Sequence, residues 1–181
     1  TIEDTEATIE EIEENFGSDV ATLVNGASKL GGIHFSSRKA KQAGNFMKML
    51  ISVAQDLRVI IIKFADRLHN METIKHLSRM KQHRIAIETR DVYVPLAHRL
   101  GMAQVKWKLD DLILQTLNPD AYKDIDSKLK SSNKQREKYI QIITNALQDE
   151  LEKYNISPKV FGRSKSRASI YGKMIQRGKS F

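Results

Sequence analysis

No cysteine occurs in the 181 residues, so disulfides and cysteine-based zinc or redox chemistry are excluded. A chain free of cysteine suits a reducing compartment, and the expected location is the cytoplasm. No apolar run approaches the roughly eighteen residues that a membrane-spanning helix needs, so no membrane partner is expected. The N-terminus has neither a basic segment nor an apolar one, and no secretory leader is expected there. Proline occurs three times, at Pro95, Pro119 and Pro158, which leaves long stretches open to helix. The first 25 residues contain no lysine or arginine at all.

What the chain has in quantity is basic charge, unevenly placed. Residues 1–25 carry eight acids, whereas the other 156 residues carry thirty Lys and Arg against fourteen acids. The last 27 residues hold seven basic side chains and no acid. A net charge of +8 with a basic end points to polyanions, either phosphate-rich nucleotides or nucleic acid. Apolar residues make up 40% of the chain, enough for one large domain or two partial ones.

The pattern is mostly helical. Thr8 with Glu11 forms a capping-box pair and Gly17 suits a stop, so a short helix is predicted over about 9–16. Ser18 suits the start of a second helix ending near Gly26, followed by a loop over 27–37. Ala43, Phe46, Met47, Leu50 and Ala54 recur at helical spacing over 38–54. Asp56 caps a predicted helix over about 57–77. Another helix, over 82–100, contains Pro95 and is expected to kink or break there. Trp107, Leu109, Leu112, Ile113 and Leu117 predict a helix that stops at Asn118-Pro119. Residues 120–153 predict one or two long packing helices. Ile156–Gly162 reads as a strand, and Ser166–Gln176 as a helix.

The densest chemistry lies in Phe64-Ala65-Asp66-Arg67-Leu68-His69-Asn70-Met71, directly after Val59-Ile60-Ile61-Ile62. A helix that apolar is expected to be buried, and a carboxylate inside it needs a metal ion or a cation beside it. Asp66, Asn70, Thr73 and Leu77 fall at i, i+4, i+7 and i+11, one face of one helix. The spacing leaves two readings open: a nucleotide site, or a core acid paired with Arg67 or Lys63.

Four stretches carry a resemblance. Ala65–Met71 and the opening Thr1-Ile2-Glu3-Asp4-Thr5 resemble the hydrolase domain of the RelA/SpoT homologue family, which makes and destroys (p)ppGpp. Tyr93–Gly101 resembles the family's PLAHRLG junction. Gly162–Lys165, running on to Ser169–Met174, resembles the GRxK…SIYxKM opening of its synthetase domain. The four occur in the family's order and span essentially the whole chain. The resemblance implies a mainly α fold: an N-terminally truncated HD-type helical hydrolase domain at 1–100 and a helical connector at 101–154. At 155–181 come the first strand and helix of a C-terminally truncated α/β nucleotidyltransferase-like synthetase domain.

In the family's hydrolase half, a manganese ion assists removal of the 3′-pyrophosphate. By resemblance Asp66 is the metal-binding aspartate, and Glu3 and Asp4 are the acidic pair that assists the attacking water. Adjacent acids repel, so either one can hold a raised pKa and serve as a general base. Glu3-Asp4 by itself also reads as acid placed at the positive end of a helix. Asn70 matches the asparagine that contacts the nucleoside, and Thr73, Ile74 and Leu77 match residues that frame the guanine. The family's His-Asp pair and a further histidine belong upstream of Thr1. The resemblance therefore implies that these 181 residues alone neither hold manganese tightly nor hydrolyse (p)ppGpp.

In the synthetase half, Arg163, Lys165, Ser169 and Lys173 match residues that hold the ATP phosphates during pyrophosphate transfer to GDP or GTP. Lys165 near a helix N-terminus suits phosphate binding. The family's Mg2+ ligands fall beyond Phe181, so synthesis by this stretch is not implied either. The implied ligands are ppGpp, pppGpp, GDP, GTP and ATP, and ribosome or tRNA contacts belong to regions outside this chain. Two further readings stand beside this one: a synthetase-specialised member with a degenerate hydrolase half, and a basic helical nucleic-acid-binding module.

Overall fold

Thr8 starts the first helix as its spacing predicts. Its hydroxyl accepts the Glu11 N–H at 3.2 Å, while Glu11 Oε2 accepts the Thr8 N–H at 3.0 Å. Helix α1 (Ile9–Phe16) ends at Gly17, whose φ of +86° lies in the region that favours glycine, and α2 (Ser18–Lys29) begins at the next residue. The two pack as a helical hairpin. In this computed structural model the described residues are 2, 5–29, 56–130 and 133–180. The helix expected over 38–54 and most of the loop expected over 27–37 lie outside them.

Gly26 is not the stop that its composition suggests, because α2 continues to Lys29. Its use is close approach. A Cβ at Gly26 would sit 2.9 Å from Val59 Cγ2 on the next described helix, α3 (Leu57–Glu72). Asp56 caps α3 as expected, accepting the Arg58 N–H at 2.8 Å. The helix is shorter than the predicted 57–77. Thr73 closes it, donating both its N–H and its hydroxyl to the His69 carbonyl at 3.0 and 2.8 Å. A single 3₁₀ turn, Ile74–His76, follows.

The apolar run in α3 is not buried on all sides. Val59, Ile60, Phe64 and Met71 are buried, while Ile61 and Ile62 are exposed. A helix packed on one side of its circumference hides only that stripe, however apolar the remainder.

Helix α4 (Arg79–Glu88) runs through a π turn, Thr89–Tyr93, into α5 (Val94–Arg99). The predicted break at Pro95 takes this form. Proline has no N–H to give the carbonyl four residues back, and its ring crowds that carbonyl. A wider turn just upstream accommodates both, and the Val94 N–H bonds the Thr89 carbonyl five residues back. Gly101, at φ +70°, turns the chain into α6 (Ala103–Leu117). Asn118-Pro119 ends α6 as expected, and Pro119 then opens α7 (Pro119–Lys130), where a missing N–H costs nothing. Helix α8 (Asn133–Glu152) follows, then α9 (Arg167–Arg177), capped by the Ser166 hydroxyl.

The described residues contain no strand. Ile156–Gly162 was expected to be one, but a strand exists only as half of a hydrogen-bonded ladder, and no other described segment is a strand to pair with it. The segment instead lies against α8. The Ile156 N–H bonds the Leu151 carbonyl at 3.2 Å, and a Cβ on Gly162 would come within 2.7 Å of Ile140 Cγ2. The fold is thus mainly α, with the helix at 166–176 observed and its strand partner not. The chain divides into two compact units, Thr1–Leu109 and Asp110–Phe181. In the first, Ile60, Phe64, Met71, Ala86, Leu96 and Ala97 form the centre of the core; in the second, Ile125 and Leu129 of α7 are buried.

Candidate functional site

Asp66 lies on the exposed side of α3, not in its core. Its Oδ1 accepts the Asn70 side-chain N–H at 3.1 Å, one turn along the helix. It is not a core acid beside Lys63 or Arg67, although its charge adds to the pull that raises the Arg67 pKa. The Arg67 guanidinium turns the other way, donating through Nη2 to Glu88 Oε1 at 3.1 Å and to the Tyr93 hydroxyl at 2.9 Å. The exposure of Asp66 follows from helix phase: Phe64 and Met71 face the core, and Asp66 and Asn70 fall to one side of that stripe.

The line of four polar and apolar residues along one helix does not form, because α3 ends at Glu72. Asp66 and Asn70 share a face of α3. Thr73 is its closing residue, with its hydroxyl committed to His69. Ile74 is buried within the 3₁₀ turn, and Leu77 follows that turn, exposed. Glu3 and Asp4 lie outside the described residues.

Sequence reasoning missed the group behind Asp66. Arg67 is largely buried, its side chain 13% exposed, and its guanidinium carbon sits 4.0 Å from the centre of the Tyr93 ring. Tyr93 also meets Phe64 edge-on at 6.3 Å. Burial works against the Arg67 cation, yet Tyr93 and Glu88 beside it raise its pKa above the ordinary arginine value. Burial likewise pushes the Tyr93 phenol up, with Arg67 pulling the other way. Residues 67, 88 and 93 carry no short-range spacing signal that could have linked them.

Among the described residues no group of three or more His, Cys, Asp and Glu side chains is placed to hold a metal ion. Asp66 offers a hard carboxylate oxygen of the kind that suits Mn2+ or Mg2+. One such ligand does not make a site. The described residues therefore do not by themselves fit a divalent ion, and no reaction step follows from one here.

In the second unit, Lys165 and Lys173 are exposed and close together. The Lys173 ammonium is held below the usual lysine range, first by Lys165 and then by Arg177. Two ammonium groups brought together favour an anion. The helix N-terminus nearby is already occupied. Ser166 Oγ accepts the Ser169 N–H at 3.2 Å, and Asp111 Oδ1 accepts the Ala168 N–H at 2.8 Å. Phosphate resting on the first N–H groups of α9, as the sequence suggests, would have to displace these. The Ser169 hydroxyl lies 2.8 Å from that of Ser166. Arg163 donates to the Ser164 carbonyl at 3.1 Å.

Arg167, which sequence reasoning passed over, ties this helix down. Its Nε and Nη2 bond Asp126 Oδ1 at 2.9 and 2.7 Å, and its Nη1 lies 3.7 Å from Asp111 Oδ2. Asp126 also receives Lys130 at 2.9 Å. Lys130 first and Arg167 next hold the Asp126 carboxyl below the usual carboxylate range. The signal available in the sequence was an arginine at the first position of a helix, where the dipole disfavours a cation unless acids flank it.

Comparison with known proteins gives the family. The HD domain family matches residues 1–103. A GTP pyrophosphokinase of Myxococcus xanthus is 46% identical over 184 residues, covering 100% of this chain and 24% of that protein. The bifunctional (p)ppGpp synthase/hydrolase SpoT of Escherichia coli is 43% identical over 180 residues, covering 99% of this chain and 26% of that protein. A probable guanosine-3′,5′-bis(diphosphate) 3′-pyrophosphohydrolase of Synechocystis is 43% identical over 181 residues, covering 99% and 24%. The chain thus spans about a quarter of the length of the curated relatives it matches. Among the described residues, no helix is long and apolar enough to cross a membrane. With more than half its length matched, the chain belongs to the HD domain family.

Proposed function

We propose that this chain is part of an enzyme that turns over (p)ppGpp, with a hydrolase site in the first unit and the beginning of a synthetase site in the second. The observation that carries the reading is the Asp66–Asn70 pair. An acid and an amide stand hydrogen-bonded and exposed on α3, inside the stretch Ala65–Met71 that resembles the family's hydrolase motif. Asp66 would give one carboxylate oxygen to a divalent manganese ion completed by ligands outside the described residues, the ion supplying Lewis-acid activation of water, and Glu3 and Asp4 would be the acids that assist that water. Asn70 contacts the nucleoside. Thr73 and Leu77 border the guanine, and buried Ile74 supports that wall from beneath.

In the second unit Arg163, Lys165, Ser169 and Lys173 hold ATP phosphates. The crowding of Lys165 on Lys173 supports this, since a polyphosphate relieves the repulsion between them. The acceptor is GDP or GTP, with Mg2+ bound by residues beyond this stretch. Domain limits at about 100 and 154 separate hydrolase, connector and synthetase.

The test is release of pyrophosphate from guanosine-3′,5′-bis(diphosphate) by the full-length enzyme. Asp66→Asn is expected to abolish turnover, and Asn70→Ala to raise KM about tenfold or more, the scale of a lost substrate hydrogen bond. Full activity in Asp66→Asn would exclude this site. Turnover that is missing from the parent itself, with synthesis intact, would favour the synthetase-specialised variant. A second reading, nucleic-acid binding, draws on the seven basic residues and no acids of 155–181. It predicts salt-sensitive binding to arbitrary RNA without nucleotide preference.

A further inference from the structure

Helix α3 is held on one side by a clamp whose parts come from both ends of the π turn. Glu88 precedes the turn and Tyr93 ends it, and both bond the same Arg67 Nη2. In an uninterrupted α-helix, residues five apart point about 140° away from each other. The wider turn, with its bond from Val94 back to Thr89, closes that angle and brings Glu88 and Tyr93 to one side. Tyr93 then meets α3 twice, at Phe64 edge-on and at Arg67 through its ring face. Phe64 and Arg67 are one turn apart, so the contact fixes the helix in rotation as well as in distance.

Asp66 and Asn70 lie about a third of a turn round α3 from this clamped side. We propose that Arg67 is a positioning residue: gripped by Glu88 and Tyr93 across the π turn, it sets the rotation of α3 that presents Asp66 and Asn70 to a guanine nucleotide. The inference rests on the reading of Asp66 and Asn70 as site residues. A side-chain tip some 6 Å off the helix axis moves about 2 Å for a 20° rotation. Misplacements of about 1 Å cost enzymes on the order of a hundredfold in rate.

Two features argue against a purely packing role. Arg67 Nε is buried with no hydrogen-bond partner. An arginine kept there at that cost in stability is a poor choice for a core, where an apolar side chain would fill the space without an orphaned donor. The π turn, too, is a local departure from helix geometry whose product is the pairing of Glu88 with Tyr93 on one cation.

The experiment uses the full-length enzyme with three variants: Arg67→Lys, which keeps the charge and loses the planar fork; Tyr93→Phe, which keeps the ring and loses the acceptor; and Asp66→Asn. Turnover of guanosine-3′,5′-bis(diphosphate), its dissociation constant by titration calorimetry, and the melting temperature are measured for each. Arg67→Lys is expected to lower kcat/KM tenfold or more and to weaken nucleotide binding, with the melting temperature within a few degrees of the parent. Tyr93→Phe is expected to lose about threefold. If Asp66→Asn keeps its activity, the site reading fails and the positioning role fails with it. If Asp66→Asn is inactive while Arg67→Lys changes only the melting temperature, the site stands and the positioning role is overturned. Should Arg67→Lys not fold, Tyr93→Phe decides by the same criteria.

Discussion

Asp111 accepts the backbone N–H of Ala168 at 2.8 Å, so a carboxylate from α6 sits on the first turn of α9. The N-terminus of a helix attracts anions, and here the protein supplies its own. The same aspartate lies 3.7 Å from the Arg167 guanidinium, which answers the charge of the acid and offsets the poor placement of a cation at that helix end.

Removing that carboxylate is expected to loosen α9. Asp111→Ala orphans the Ala168 N–H and takes one acid from Arg167, a loss of about 1–3 kcal/mol. Hydrogen exchange across 167–177 would quicken while α3 keeps its protection. Unchanged protection in α9 would show that Ser166 suffices as its cap.

Asp126 makes the stability of the second unit depend on pH in a defined sense. Its folded-state pKa is lowered by Lys130 and Arg167, so its contribution is complete above the ordinary aspartate value of about 3.9 and is lost as pH falls through the lower folded value. The urea midpoint of the parent should exceed that of Asp126→Asn at pH 6. The gap should shrink by pH 3.

Lys173 shifts stability in the same direction with pH, but as a penalty relieved and not a contribution gained. Its folded-state pKa is depressed, chiefly by Lys165, so the charged form is disfavoured at neutral pH and the penalty eases as pH rises. Lys165→Met is expected to return Lys173 to the ordinary lysine range, followed by NMR of its ε-carbon. Inorganic tripolyphosphate should raise the same pKa in the parent. A lysine that titrates identically in parent, variant and complex would remove the case for a shared anion.

Gly162 is required for contact, not for an unusual backbone angle. Gly162→Ala places a methyl 2.7 Å from Ile140 Cγ2 and 3.3 Å from Thr144 Cγ2, an overpacking expected to cost about 1–3 kcal/mol. Adding Ile140→Leu, which removes the Cγ2 methyl, should recover part of it. The comparison of melting temperatures between single and double variants checks this.

The chain's own letters determined the helix starts and stops that depend on neighbours along the chain. Thr8 with Glu11, Gly17, Asp56, Asn118-Pro119 and Ser166 each act within a few residues, so their roles were legible without a fold. The motif around Asp66 and Asn70 was legible too, because both fall one turn apart on one helix. Tertiary structure decided what depends on partners far along the chain. It turned Asp66 outward, since helix phase against the core, not the apolarity of Val59–Ile62, sets exposure. It gave Arg67 to Glu88 and Tyr93, 21 and 26 residues away, and Arg167 to Asp126, 41 residues away. It left Ile156–Gly162 unpaired, because a strand needs a neighbour that the sequence of one segment cannot supply.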